Sequence, residues 1–177
     1  MMRPDLLDFS RVYLKPGELY VTDTPKVLET VLGSCVAVAL HSPSTGHAAM
    51  CHAILPTGAK GELRFVDAAV HHMIDTLRQR GVQPSRLVAK LFGGADMFFS
   101  VRNATPARFA VGQDNMQRAR QVLEQHRIEV RSHDTGGLFG RKVVFFTDTG
   151  QVYVKRLKRQ SEELKIVLPY FDEVTNG

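Results

Sequence analysis

The chain has 177 residues, about the length of one ordinary domain, of which 44% are apolar and 23% charged. That balance excludes intrinsic disorder, collagen-like repeats and coiled-coil arrays as descriptions of the whole. The net charge of +5 favours an acidic partner without choosing among nucleic acid, membrane and protein.

Residues 1–12 (MMRPDLLDFSRV) mix two acids and two arginines with apolar side chains, so no signal peptide is expected there. No apolar run approaches the ~18 residues of a membrane span, so membrane insertion is not expected. Residues 13–22 (YLKPGELYVT) read as extended chain broken by the Pro16-Gly17 turn. From Val31 the run VLGSCVAVAL is β-rich and apolar on both alternations, as in a strand buried on two faces. The turn cluster Ser42 to Gly46 and the run AAMCHAIL at 48–55 complete a β-hairpin. Val66, Ala69, Val70, Met73, Ile74 and Leu77 mark one face of an amphipathic helix over 66–80, with Gly81 placed to end it and Pro84 beyond. A strand is expected at 87–92, running into Gly93-Gly94. A second helix is expected at 113–126, with Met116, Ala119, Val122 and Leu123 inward. Strands follow at 128–133, 141–147 and 151–157, with turns at Gly136-Gly137 and at Asp148 to Gly150. The basic run Lys155, Arg156, Lys158 and Arg159, followed by Glu162 and Glu163, reads as a solvated face or tail. Residues 158–177 are mostly polar apart from IVLPYF. No linker or repeat interrupts this order, so one α/β domain over 1–177 is expected.

Two cysteines, Cys35 and Cys51, are too few for a disulfide scaffold and lack zinc-finger spacing, which points to a cytoplasmic, reducing compartment. A thiol becomes a nucleophile when a base stands within reach. With Ser42 to Thr45 as a four-residue loop, His41 opposes Gly46, opposed indices sum to 87, and Cys35 falls opposite His52. A five-residue loop raises the sum to 88 and leaves His52 diagonal to Cys35. Cys51, adjacent to His52, points to the other face and reads as a small buried hydrophobe. Gly33 and Ser34 allow a tight backbone approach and leave main-chain N–H groups to hold an oxyanion. His71 and His72 have no i, i+4 partner and suggest no metal site. His41 and His47 flank the turn and are expected to be solvated, while His126 and His133 have no evident partner. Asp96 and Asp134 read as turn formers, and neither Gly93-Gly94 nor Gly136-Gly137 makes a nucleotide-binding pattern. Few aromatic residues and no Trp argue against a nucleic-acid platform.

The segment LGSCVAVALHSPSTGHAAMCHAILP (32–56) resembles the CheD family of chemoreceptor glutamine deamidases. The resemblance continues through KLFGGADMF (90–98), Gly112 and Asn115, and DTGGLFGRKVVFFTDTGQVYVKRL (134–157), covering most of 16–157. It implies a layered α/β/β sandwich with mixed β-sheets and outer helices, similar to deamidating-toxin cysteine hydrolases. It also implies Cys35 as nucleophile and His52 as general base and acid. The imidazole would shift the pair toward thiolate and imidazolium, and no cofactor or metal would be needed. The family's third catalytic member is a threonine six residues before the cysteine. Here that position is Glu29, with Thr30 next to it, so the third role falls to Thr30 or to Glu29. Strand parity sets Glu29 on the face of Cys35, and Thr30 serves only if a bulge or the bend at Gly33 resets the face. The implied substrates are glutamines on the cytoplasmic helices of methyl-accepting chemoreceptors, with methylesterase activity in some members and a CheC-type phosphatase as partner. The alternative is a non-catalytic adaptor binding receptors or that phosphatase.

Overall fold

The computed structural model describes residues 9–96, 111–158 and the backbone of 172–173. Residues 1–8, Met97 and Phe98, Arg159, Glu162, Glu163 and the IVLPYF run lie outside the described residues. The strands are β1 (Arg11–Tyr13), β2 (Leu19–Thr22), β3 (Val27–Leu32), β4 (Val36–His41), β5 (Ala48–Ala53), β6 (Val88–Gly93), β7 (Glu129–Thr135), β8 (Gly140–Phe146), β9 (Val152–Leu157) and β10 (Asp172–Glu173). The helices are α1 (Val66–Gln79) and α2 (Val111–Gln125). One sheet has the order β1-β3-β8-β9-β10 and the other β2-β5-β4-β6-β7. Both are mixed, since β1 runs parallel to β3 and β6 parallel to β7 within otherwise antiparallel ladders. The parallel β6–β7 pair requires a crossover, and α2 supplies it.

Three layers follow from side-chain alternation. On the central sheet, Val36, Val38 and Leu40 of β4 and Ala49, Cys51 and Ala53 of β5 pack with the apolar face of α1 and with Ala119, Val122 and Leu123 of α2. The alternate residues, Ala37, Ala39, Ala48, Met50 and Phe92, face the second sheet and meet Leu28, Leu32, Val143, Phe145, Val152 and Val154. A strand covered on both faces has no polar alternation, which is why β4 and β5 are buried at every position. The architecture is the expected layered α/β/β sandwich with its helices outside.

Two expectations change. The run from Val31 to Leu40 is not one strand. β3 ends at Leu32 in one sheet and β4 starts at Val36 in the other, with Gly33, Ser34 and Cys35 crossing between them. The hairpin also closes one residue later than expected. Ser42 N–H donates to His47 O at 2.9 Å, and the Thr45 and Gly46 N–H groups both donate to Ser42 O, with Gly46 at φ 74°. Opposed indices therefore sum to 89, as in Val36 with Ala53, rather than to 87 or 88.

Candidate functional site

Residues 33–35 are held by three consecutive carbonyls. Ala95 N–H donates to Gly33 O at 2.9 Å, Asn115 Nδ2 to Ser34 O at 3.0 Å, and Gly94 N–H to Cys35 O at 2.8 Å. Gly93 adopts φ 104°, and a Cβ there would lie 2.1 Å from Cys35 O, so only glycine permits this approach. The N–H groups of Gly33, Ser34 and Cys35 make no backbone hydrogen bond among the described residues. The turn thus spends its acceptors on the scaffold and keeps its donors, the arrangement that an oxyanion needs.

His52 opposes Ala37, so it stands on the inter-sheet face. Its own N–H donates to Glu18 O and its carbonyl accepts from Gly17 N–H, both at 2.8 Å, which fixes its backbone. Continuing the β4–β5 register by one step places Cys35 opposite Ile54, with His52 diagonal on the same face. Diagonal neighbours lie ~7–8 Å apart at the backbone, a gap that an imidazole and a thiol can span. Cys35 packs against this same inter-sheet cluster.

Thr30 reaches His52 from the opposite sheet. Its Oγ1 donates to Leu14 O at 2.8 Å and lies 2.7 Å from His52 Nδ1. A hydroxyl has one proton, and a carbonyl can only accept, so against the imidazole Thr30 Oγ1 accepts. That assigns the proton to Nδ1 and leaves the Nε2 lone pair open. Nε2 is buried and has no hydrogen-bond partner among the described residues.

Burial raises the Cys35 thiol above its ordinary range, with its own backbone N–H pulling the other way. Burial also lowers the His52 imidazole, against the opposing effects of the Leu14 carbonyl and the Glu18 charge. Both shifts favour the neutral forms, thiol and imidazole, the opposite direction to the thiolate and imidazolium that the resemblance implied. Cys51 lies in the helix-facing layer, fully buried, its thiol pushed up to about 12 by desolvation. Both cysteines are free.

The structure brings Thr30 to the imidazole and turns Glu29 away. On β3, Leu28, Thr30 and Leu32 are buried, whereas Glu29 pairs with Arg11 and with Lys142 at 3.2 Å. The parity rule failed because it assumed one continuous sheet. Two sheets facing each other present opposed faces to one gap, so parity does not carry across Gly33.

Three smaller expectations are also corrected. His41 is buried, not solvated, because the inner face of β4 brings it against the β8–β9 turn, where a Cβ on Gly150 would lie 2.5 Å from Nδ1. His126 has a partner, meeting His71 edge-to-face at 5.1 Å between ring centres. Asp134 is more than a turn former. It binds buried Arg141 at 2.9 Å and Arg156 at 3.2 Å, linking the two sheets beside Phe92. Asn115, which the sequence offered only as part of the family resemblance and without a site role, is a neighbour of the site. Its spacing from Ala119 and Val122 puts it on the apolar face of α2, a legible signal that this face carries an amide. Among the described residues no group of three or more His, Cys, Asp or Glu side chains could hold a metal ion, and no helix is long and apolar enough to cross a membrane.

A family model described as CheD chemotactic sensory transduction matches residues 54–156, more than half of the chain. A probable chemoreceptor glutamine deamidase CheD 2 of Geobacter sulfurreducens is 46% identical over 84% of this chain and 91% of that protein. A probable chemoreceptor glutamine deamidase CheD of Maridesulfovibrio salexigens is 36% identical over 86% of this chain and 95% of that protein. A Neisseria meningitidis protein of family-model DUF152 overlaps with a TM-score of 0.46 at 15% identity, over 75% of this chain and 64% of that one.

Proposed function

The chain belongs to the CheD family, and on that premise we propose that it hydrolyses the side-chain amide of chemoreceptor glutamines to glutamate, with Cys35 as nucleophile. The observation that carries this reading is the contact of Thr30 Oγ1 with His52 Nδ1, which leaves a basic Nε2 on the face shared with Cys35. As Cys35 Sγ attacks the carboxamide carbon, His52 Nε2 takes the thiol proton, so the ion pair forms only during the reaction. The N–H groups of residues 33–35 hold the developing oxyanion. The protonated imidazole then gives its proton to the departing nitrogen, which leaves as ammonia and breaks the C–N bond. His52 next deprotonates a water, which attacks the thioester. The C–S bond breaks, glutamate remains, and the thiol regains its proton. Thr30 holds the ring through Nδ1–H, the part that a carboxylate plays in other triads. An ester leaving group suits the same steps, so methylesterase activity falls within this reading. The reading places the protein in the cytoplasm, where receptor helices are reached, and the positive net charge suits acidic docking surfaces. A CheC-type phosphatase is proposed as a binding partner.

The test is mass spectrometry and ammonia release on receptor cytoplasmic fragments incubated with the wild-type protein and with Cys35→Ala. A one-dalton gain at glutamine is expected with the wild type and should fall at least ~10³-fold in the variant, while receptor binding persists. Equal turnover in the variant overturns the nucleophile, and binding without turnover in both proteins favours an adaptor.

A further inference from the structure

The turn that carries Cys35 and the strand that carries His52 are not joined by a backbone rung at the site itself. The β4–β5 ladder ends with Val36 opposite Ala53. One step beyond, the amide of Asn115 spans the gap, Nδ2 donating to Ser34 O at 3.0 Å and to Ile54 O at 2.8 Å. Ser34 directly precedes Cys35, and Ile54 lies two residues past His52. Asn115 is the fifth residue of α2 and is fully buried. The helix reaches this depth because Gly112 and Gly94 touch: a Cβ on Gly112 would lie 2.6 Å from Gly94 O, and one on Gly94 would lie 2.7 Å from Gly112 O. The same Gly94 donates its N–H to Cys35 O, so the helix end, the glycine loop and the cysteine turn form one contact.

The chemistry of the bridge is selective. Two carbonyls must be satisfied by one short side chain, which requires two hydrogens on one atom. A primary amide has them, a hydroxyl has one, and a carboxylate has none. The remaining acceptor, Asn115 Oδ1, is buried without a partner among the described residues, so the group is held there for its donors. The opposite amide orientation would set oxygen against two carbonyl oxygens.

We infer that Asn115 is a positioning residue that replaces the missing rung between the Cys35 turn and the His52 strand and so sets the thiol-to-imidazole geometry. This rests on the reading of Cys35 and His52 as the reacting pair. It is tested with Asn115→Ala and with Asn115→Asp, which keeps size and removes both donors. For each, kcat and KM for receptor deamidation are measured, together with the pH dependence of Cys35 alkylation by iodoacetamide. Cys51 is fully buried and does not contribute to that signal.

The expected result is a kcat loss of about 10- to 100-fold with KM within about threefold, the size seen when a supporting residue lets a reacting group drift. The alkylation profile of Asn115→Ala should coincide with that of His52→Ala, and the double variant should alkylate no more slowly than His52→Ala alone. A folded variant with kcat within about twofold of wild type, or with the wild-type alkylation profile, overturns the inference. If neither variant melts cooperatively, the wild-type protein decides by NMR. Both side-chain amide protons of Asn115 should exchange slowly and shift when Cys35 is alkylated, and fast exchange or unmoved signals overturn the inference. Failure of the underlying reading is seen separately, as full turnover in Cys35→Ala.

Discussion

At the scale of single residues, the site turns on one proton. Thr30 donates to Leu14 O, so it can only accept from His52, and that places the basic lone pair on Nε2. Thr30→Val keeps the shape and removes both bonds. It should lower kcat by about 10- to 100-fold, while Thr30→Ser stays within a few-fold, as measured by ammonia release. Glu29→Ala should leave turnover unchanged. It should also cost at most ~1 kcal/mol in denaturant unfolding, because its partners Arg11 and Lys142 are 56% and 37% exposed. A turnover loss in Glu29→Ala larger than in Thr30→Val would reverse the assignment.

Between elements, close approaches and cross-sheet ion pairs fix where the crossover sits. Gly93→Ala would drive a methyl group into Cys35 O at a positive φ. About 2–4 kcal/mol of stability should be lost, together with most of the activity, with the denaturant slope unchanged. Asp134 joins β7 to β8 and β9. Burial alone would raise its carboxyl, but hydrogen bonds from Arg156 and Arg141 and their charges outweigh this and hold it below the usual range. Arg141 is 3% exposed and Arg156 66%. Asp134→Ala strands a buried guanidinium and should cost about 3 kcal/mol, against ~1 kcal/mol or less for Arg156→Ala, both read from urea midpoints. Equal costs would show that the inner pair contributes no more than the outer one.

Over the whole molecule, burial lowers three histidines, His41, His52 and His126, and the two inner ones, His41 and His52, contribute to the response to acid. Desolvation lowers His52, and it lowers His41 with help from the Lys90 charge, while the unfolded chain retains the ordinary imidazole value near ~6.5. Below that value the unfolded state binds protons that the folded state resists. Their contribution to stability is therefore complete above ~6.5 and is lost as pH falls through the lowered folded values. His41→Gln should flatten the decline of Tm over that window. In the proposed mechanism the neutral His52 is the base, so catalysis should follow the same sign, with the midpoint of the acid limb of kcat/KM below ~6.5. A midpoint above that value would mean that a resting ion pair forms after all.

The local pattern alone determined the helices, because six apolar positions from Val66 to Leu77 repeat at helical spacing and Gly81 follows with φ 86°. It singled out Cys35 and His52 but left their register open between index sums of 87 and 88; the turn closed at 89, an odd sum that keeps both on one face as diagonal rather than opposed neighbours. Which neighbour of Glu29 and Thr30 meets the imidazole, the burial of His41, the cross-sheet role of Asp134 and the reach of Asn115 were decided only in three dimensions. Each depends on a contact between different sheets or layers, and alternation within a strand carries no information about which strand in another sheet will face it. The chain changes sheets at Gly33, and there the local rule of faces ends.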